Sequence, residues 1–322
     1  MQATQQPPVS AGTTTPRRRL RRLDFREQQA KNQRRALSLA VALFAVLGVL
    51  GAALGAAWGS WLVGTLAGLT VAGVQWAFAR TAGASVIMSA AGAHPVDRAT
   101  DAQLVHVVEE IAIAAGMPCP DVYLIDDSSL NAFATGFQPE DAAVAITTGL
   151  RDKLTRDELQ AVLAHEIGHI RNGDTGYMVL IAVAVGAIAL LADLGLRSLW
   201  HGRHGRSFSG GKRQGPQLLI AAIVMIVLAI LAPLVARILQ AAVSREREYL
   251  ADATSVELTR HPRALASALR KLGADPLRLK SANRATHHLY IVNPLHKAQV
   301  RSSVFSTHPP LIERVRRVEA MA

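Results

Sequence analysis

Cysteine is almost absent from this chain. Cys119 stands alone among 322 residues, which excludes an intramolecular disulfide framework and any zinc site built from several cysteines. Flanked by Pro118 and Pro120 ahead of a strand-like run, it reads as an ordinary small core or turn residue. Charge is missing over a longer stretch. From Ala36 to Ala79, 44 consecutive positions hold no Asp, Glu, Lys, Arg or His, about twice the roughly 20 residues that cross a bilayer. That length argues against one buried core helix. It also argues against a cleaved signal peptide, whose apolar stretch is shorter and whose basic segment would not begin as late as Arg17. Two spans fit it, divided at Trp58-Gly59-Ser60-Trp61, where tryptophans suit the interface and Gly-Ser permits a tight turn.

Acidic residues are outnumbered, 24 against 35 Lys and Arg, giving a net charge of +11. The excess is concentrated beside the apolar stretch. Residues 17 to 35 carry nine Arg or Lys against Asp24 and Glu27, so the positive-inside rule keeps this arm cytoplasmic and Arg80 returns the chain to the same side. Its juxtamembrane position makes anionic lipid headgroups, rather than nucleic acid, the expected partner. A solvated arm that only sets topology is the alternative. Residues 1 to 16, rich in Gln, Thr and Pro, have no core-forming pattern.

Two further apolar runs, Tyr177 to Ala192 and Leu218 to Ala236, approach spanning length. The loop between them, 197 to 216, holds Arg197, Arg203, Arg206, Lys212 and Arg213 and no acid, so placing it outside runs against the positive-inside tendency. Spanning is favoured over partial insertion. Asp193, at the end of the third run, is expected at the interface.

The soluble stretches are mixed. Thr100 to Ala115 reads as a helix capped by Thr100, with Leu104, Val107, Val108 and Ile111 on its apolar side and a solvated or packing role, rather than ligation, for His106, Glu109 and Glu110. Val122 to Ile125, Asn131 to Thr135 and Ala143 to Thr147 read as three strands of a small sheet. An edge strand of such a sheet can hydrogen-bond an extended peptide.

The chemistry is concentrated in His165-Glu166-Ile167-Gly168-His169. Two histidines four apart on a helix share one face, the spacing of a zinc site, and the intervening glutamate is placed to reach a water at the metal. Thr155 with Glu158 forms a capping box, Asn172-Gly173 offers a stop, and Leu159, Val162, Leu163 and Ile167 recur at helical spacing. A helix of about 16 residues follows. Two histidines leave a tetrahedral metal short of protein ligands. Downstream, Glu248 and Asp252 are four apart on another helix: one can ligate while the other hydrogen-bonds the outer nitrogen of a ligand histidine. No compelling Ser-His or Cys-His arrangement competes.

Together HEIGH, SREREYLADA some eighty residues on, NAFATG before them and FSTHPP after resemble the HtpX branch of the Ste24-like membrane zinc metallopeptidases, over roughly residues 36 to 320. The resemblance implies one Zn2+ per subunit held by His165, His169 and Glu248, with Glu166 as general base and Asp252 orienting His165. It implies that Asn131, Ala132, Phe133, Ala134, Thr135 and Gly136 bind substrate backbone and that His308 stabilises the oxyanion. His287, His288 and His296 are read as surface or substrate-loop residues.

The expected fold is α+β, mainly helical: an integral membrane protein with two helical hairpins, four apolar segments in all, and a gluzincin-like zinc protease domain with a small β-sheet. A basic cytoplasmic arm (1–35) precedes a transmembrane hairpin (36–80) and the first part of the protease domain (81–176). A second hairpin (177–236) and the second part (237–322) complete it. If the helices run on unbroken, Glu248 lies about 18 Å past the fourth run, so the site sits close to the cytoplasmic surface of the cell membrane. The expected function is a zinc endopeptidase acting on membrane or membrane-associated proteins, in quality control and stress response. Ste24-like processing, or a non-catalytic zinc scaffold or transporter, are the alternatives. The few ionisable groups in the spans argue against a transporter.

Overall fold

The computed structural model describes residues 25–57, 59–180, 245–277, 279, 289–292 and 309–322. Helix α1 (Phe25–Ala57) and helix α2 (Trp61–Thr81) form a hairpin. The turn falls at Gly59, with φ +96°, and at Ser60, whose side chain caps α2 by accepting from the Val63 N–H at 3.3 Å. The two backbones meet through glycine: a side chain at Gly51 or Gly64 would strike the facing main chain. Large apolar residues point outward instead, among them Val41, Val46 and Val49 of α1 and Leu62, Val63, Leu66 and Val74 of α2. Small residues inside and large apolar residues outside reverse the order of a water-soluble helix pair and match packing in lipid. Among the described residues α2 is the one helix long and apolar enough to cross a membrane. The expected second hairpin falls outside the described residues except for 177–180, which continue a helical stretch from 174. Asp193 and the basic loop 197–216 also lie outside them.

After α3 (Gly83–Ala90) comes a mixed four-stranded sheet in the order β1-β2-β4-β3. β1 (Ala93–Pro95) runs antiparallel to β2 (Asp121–Ile125), β2 runs parallel to β4 (Ala143–Thr147), and β3 (Ala132–Thr135) runs antiparallel to β4 at the sheet's edge. Sequence reading found three of these strands. β1 escaped it because three residues ending in proline carry no alternation, and proline is tolerated only at such an edge. β3 and β4 are buried throughout because both sheet faces are covered. Ala132, Ala134, Val144 and Ile146 face the main core, whereas Phe133, Ala143 and Ala145 pack with Ile87, Met88, Met178 and Val179.

The main core joins the apolar faces of five helices. They are α4 (Arg98–Ala115), α6 (Arg156–Arg171), α7 (Arg245–Thr259), α8 (Pro262–Ala274) and α9 (Leu311–Glu319), with the short α5 (Thr148–Lys153) leading into α6. The cap of α4 differs from expectation. Asp97 is the N-cap, accepting from the Ala99 and Thr100 N–H groups, and the Thr100 hydroxyl donates to Asp97 rather than capping. Non-helical Asp101 then restarts the helix by accepting from the Leu104 N–H at 3.0 Å. A carboxylate there outcompetes a hydroxyl because a charged acceptor meets several unpaired N–H groups at the positive end of the helix. His106 is exposed, and Glu109 and Glu110 pair with Arg98 and Arg156. Cys119 is exposed in the turn before β2 rather than in the core.

Candidate metal centre

Helix α6 spans 16 residues, Arg156–Arg171, with the Thr155–Glu158 capping box formed in both directions. Glu158 is further held by Ser267 and Lys271 of α8, so the helix start is anchored to the core. Leu159, Val162, Leu163 and Ile167 are buried, and that packing fixes the rotation of the helix. His165 and His169 then share the face that meets α7. Gly168 lies between the helices: a Cβ there would come within 3.2 Å of the Thr254 Cβ, so a hydrogen at this position is what lets α7 approach closely.

That approach delivers Glu248. Ligand atoms of His165, His169 and Glu248 all lie within 4.8 Å of one another, and all three residues are buried. The His165 Nε2 is 3.8 Å from one Glu248 oxygen and the His169 Nε2 is 3.5 Å from the other. Tetrahedral zinc with ligands near 2.1 Å would hold donor atoms about 3.4 Å apart, so the donor set needs only a small contraction.

The outer nitrogens are held by carboxylates. His165 Nδ1 lies 3.0 Å from Asp252 and His169 Nδ1 lies 2.9 Å from Asp174, which turns each Nε2 toward Glu248. Each carboxylate meets a buried arginine in turn. Arg314 of α9 donates through Nε and Nη2 to Asp252 at 2.9 and 2.7 Å, while its Nη1 is 3.3 Å from Glu248. Arg247 lies 3.3 Å from Asp174, with its guanidinium over the Tyr177 ring. The site therefore buries four carboxylates, Glu166, Asp174, Glu248 and Asp252, against two guanidiniums. With both imidazoles neutral and the carboxylates ionised, two negative charges are left over, which a dication would offset, a second reason the donors fit zinc.

Glu166 is 1 % exposed, and one of its oxygens has no hydrogen-bond partner among the described residues. The backbone N–H of Ala134 in β3 faces this carboxylate and favours its ionised form. Burial raises its carboxyl to about 7, reinforced by Glu248 against the opposing pull of His169 and Arg314. Burial, then the charge of Arg314, lowers His165 to about 4 despite Asp252. Burial also lowers His169, but its hydrogen bond to Asp174 and the charge of Glu248 outweigh it and hold this imidazole up at about 9.

The structure thus brings His165, Glu166, His169, Glu248, Asp252 and the β3 edge to one place. His308, His287, His288 and His296 lie outside the described residues. Asp174 and Arg314 were missed by sequence reading. Arg314 had a signal: with Leu311, Val315 and Val318 it falls on the apolar stripe of α9, where a charge needs a buried partner. Asp174 had none, because it follows the helix stop and depends on the chain turning back.

A buried His-His-Glu cluster flanked by a carboxylate and an edge strand has the make-up of a metallopeptidase site. The family described as Peptidase family M48 matches residues 98–322, and the chain belongs to it. Its peptidases are zinc metalloproteases. The chain is 40% identical to the Protease HtpX homolog of Streptococcus mutans over 294 residues, 91% of this chain and 98% of that one. It is 43% identical to the Protease HtpX homolog of Thermoanaerobacter pseudethanolicus over 236 residues, 73% of this chain and 77% of that one. Among solved structures, a crystal structure of Ste24p from S. mikatae matches with a TM-score of 0.47 and 22% identity, covering 91% of this chain and 66% of that one. The resemblance to HtpX-type metallopeptidases drawn from HEIGH and its companion motifs is borne out by the family match and the HtpX homologs.

Proposed function

We propose that this protein is a zinc-dependent endopeptidase of the cell membrane, cutting membrane or membrane-associated proteins at the cytoplasmic face in quality control and the stress response. The observation that carries this is the position of Glu166: a buried carboxylate with one unpartnered oxygen, between the His-His-Glu cluster and the outward edge of β3.

His165, His169 and Glu248 would hold the metal. Zinc, when bound, lowers the pKa of its water to about 7 and polarises the scissile carbonyl. Glu166 accepts the proton of the attacking water and delivers it to the leaving amine. Asp252 and Arg314 hold His165 in the tautomer that presents Nε2. His308 is proposed to stabilise the oxyanion. Placement at the membrane rests on the α1–α2 hairpin, whose apolar residues face outward, and on the contact of Leu180, eleven residues after His169, with Ala40 and Ala79 of that hairpin. Membrane proteins are the proposed substrates, and the basic arm meets anionic headgroups.

The test is cleavage of a model membrane substrate by purified protein, with a chelator and Glu166→Gln as controls. Glu166→Gln should keep its zinc and lose activity by about a hundredfold or more. Unchanged cleavage in that variant would remove Glu166 from the role of base.

A further inference from the structure

The outer edge of β3 is not wholly open. Asn131 bonds inward, its carbonyl accepting from the Thr147 N–H of β4, so by the alternation of an antiparallel pair Ala132 and Ala134 present their backbone groups outward, and so does the N–H of Gly136 just past the strand. The outward groups nearest Asn131 are already taken by the chain itself. The Ile291 N–H donates to the Ala132 carbonyl at 3.0 Å. The Ala132 N–H is taken by the Asn131 side-chain oxygen at 3.1 Å, and the Asn131 amide donates to the Val292 carbonyl at 3.0 Å. Tyr290 seals this contact, its ring edge-on to Phe133 with centroids 4.9 Å apart. Leu289, Tyr290 and Ile291 are all buried, so the segment is seated and not resting on the surface.

Beyond it the edge is different. The Ala134 N–H faces Glu166, and the Ala134 carbonyl and Gly136 N–H have no partner among the described residues. From this we infer that Tyr290 to Val292 form a fixed stop on the substrate-pairing edge. On the peptidase reading, an extended substrate donates one amide to the Ala134 carbonyl and accepts from the Gly136 N–H, and its backbone is not gripped past Ala134 in the direction of Asn131. The stop sets the register of the peptide against Glu166. Selectivity toward that end then comes from side chains and membrane proximity rather than from main-chain pairing. An unfolded or kinked segment there is accepted as readily as a strand.

The experiment is an N-methyl scan. A peptide cut by the full-length protein in lipid is methylated at one backbone amide at a time, and kcat/KM is measured for each. One amide, facing the Ala134 carbonyl, should lose about tenfold or more, while the amide two residues along, facing Ala132, is unaffected. Ile291→Pro removes the N–H that occupies Ala132 and should create that second sensitive position with zinc content unchanged. Two sensitive amides two residues apart in the wild type would overturn the inference, as would an unaltered pattern in a folded Ile291→Pro. If that variant does not fold, the wild-type scan decides alone. Failure of the peptidase reading looks different: the wild type would cut no peptide in a Glu166-dependent way.

Discussion

Arg314 reaches the Asp252 carboxylate with two nitrogens, at 2.9 and 2.7 Å, from a helix 62 residues further along the chain, and both side chains are buried. The pair fastens the C-terminal helix to the back of His165. Removing the guanidinium leaves an uncompensated buried charge, so Arg314→Ala should lower stability by about 3–5 kcal/mol. Denaturant unfolding of the purified protein measures this. A loss below about 1 kcal/mol would mean that the carboxylate finds water or another cation.

Asp174 holds His169 as Asp252 holds His165. Asp174→Asn keeps the shape but weakens the acceptor, and zinc affinity should drop about 10- to 100-fold. Competition with a chromophoric chelator reads this without reference to activity. Asp174→Glu should recover part of the affinity, which a purely structural defect would not allow.

The raised His169 gives the metal-free protein a pH signature. A base whose folded pKa lies near 9, above its ordinary 6.5, contributes stability that is complete below pH 6.5 and lost as pH rises through 9. Chelator-treated protein should therefore unfold more easily at pH 9 than at pH 7, and Asp174→Asn should flatten that decline. Zinc requires the neutral imidazole, so apparent zinc affinity should rise over the same window. A zinc affinity independent of pH between 7 and 9 would contradict the assignment.

Gly168 tests the helix contact that delivers Glu248. An alanine Cβ there would lie 3.2 Å from Thr254, a distance that a small shift relieves, whereas valine cannot be accommodated without separating α6 from α7. Gly168→Val should destabilise by about 1–3 kcal/mol and weaken zinc binding, with Gly168→Ala much milder. Equal zinc affinity in all three forms, measured by chelator competition, would show that the spacing is not set here.

Topology has its own test. In a Cys119→Ser background, Ser209→Cys should react with a membrane-impermeant thiol reagent added to intact cells. Protection would favour partial insertion of the third and fourth apolar runs.

Local chemistry determined much of this protein. Helix α6 was legible to its ends because its signals are local: a capping box three residues apart, apolar residues at helical spacing and a Gly stop. The hairpin turn at Gly59-Ser60 was legible because 44 uncharged residues are too many for one span. The histidine pair was legible because four residues of helix place two side chains on one face. Family motifs chose Glu248 over Asp252 as the third ligand in the sequence. In the structure, Glu248 lies beside both Nε2 atoms and Asp252 beside Nδ1 of His165, an arrangement that depends on how closely α7 packs on α6 at Gly168.

What only the tertiary structure decided are the pairings of residues far apart in the chain. Asp174 becomes His169's partner by a chain reversal after the helix stop. Arg314, one of three arginines in α9, is the one turned inward because the apolar stripe of that helix packs on the core. Tyr290 to Val292 meet β3 about 160 residues after it. None of these has a spacing that a linear pattern can express. Each is fixed because burying a charge or a backbone N–H without its partner would cost more than the marginal stability of a folded chain allows.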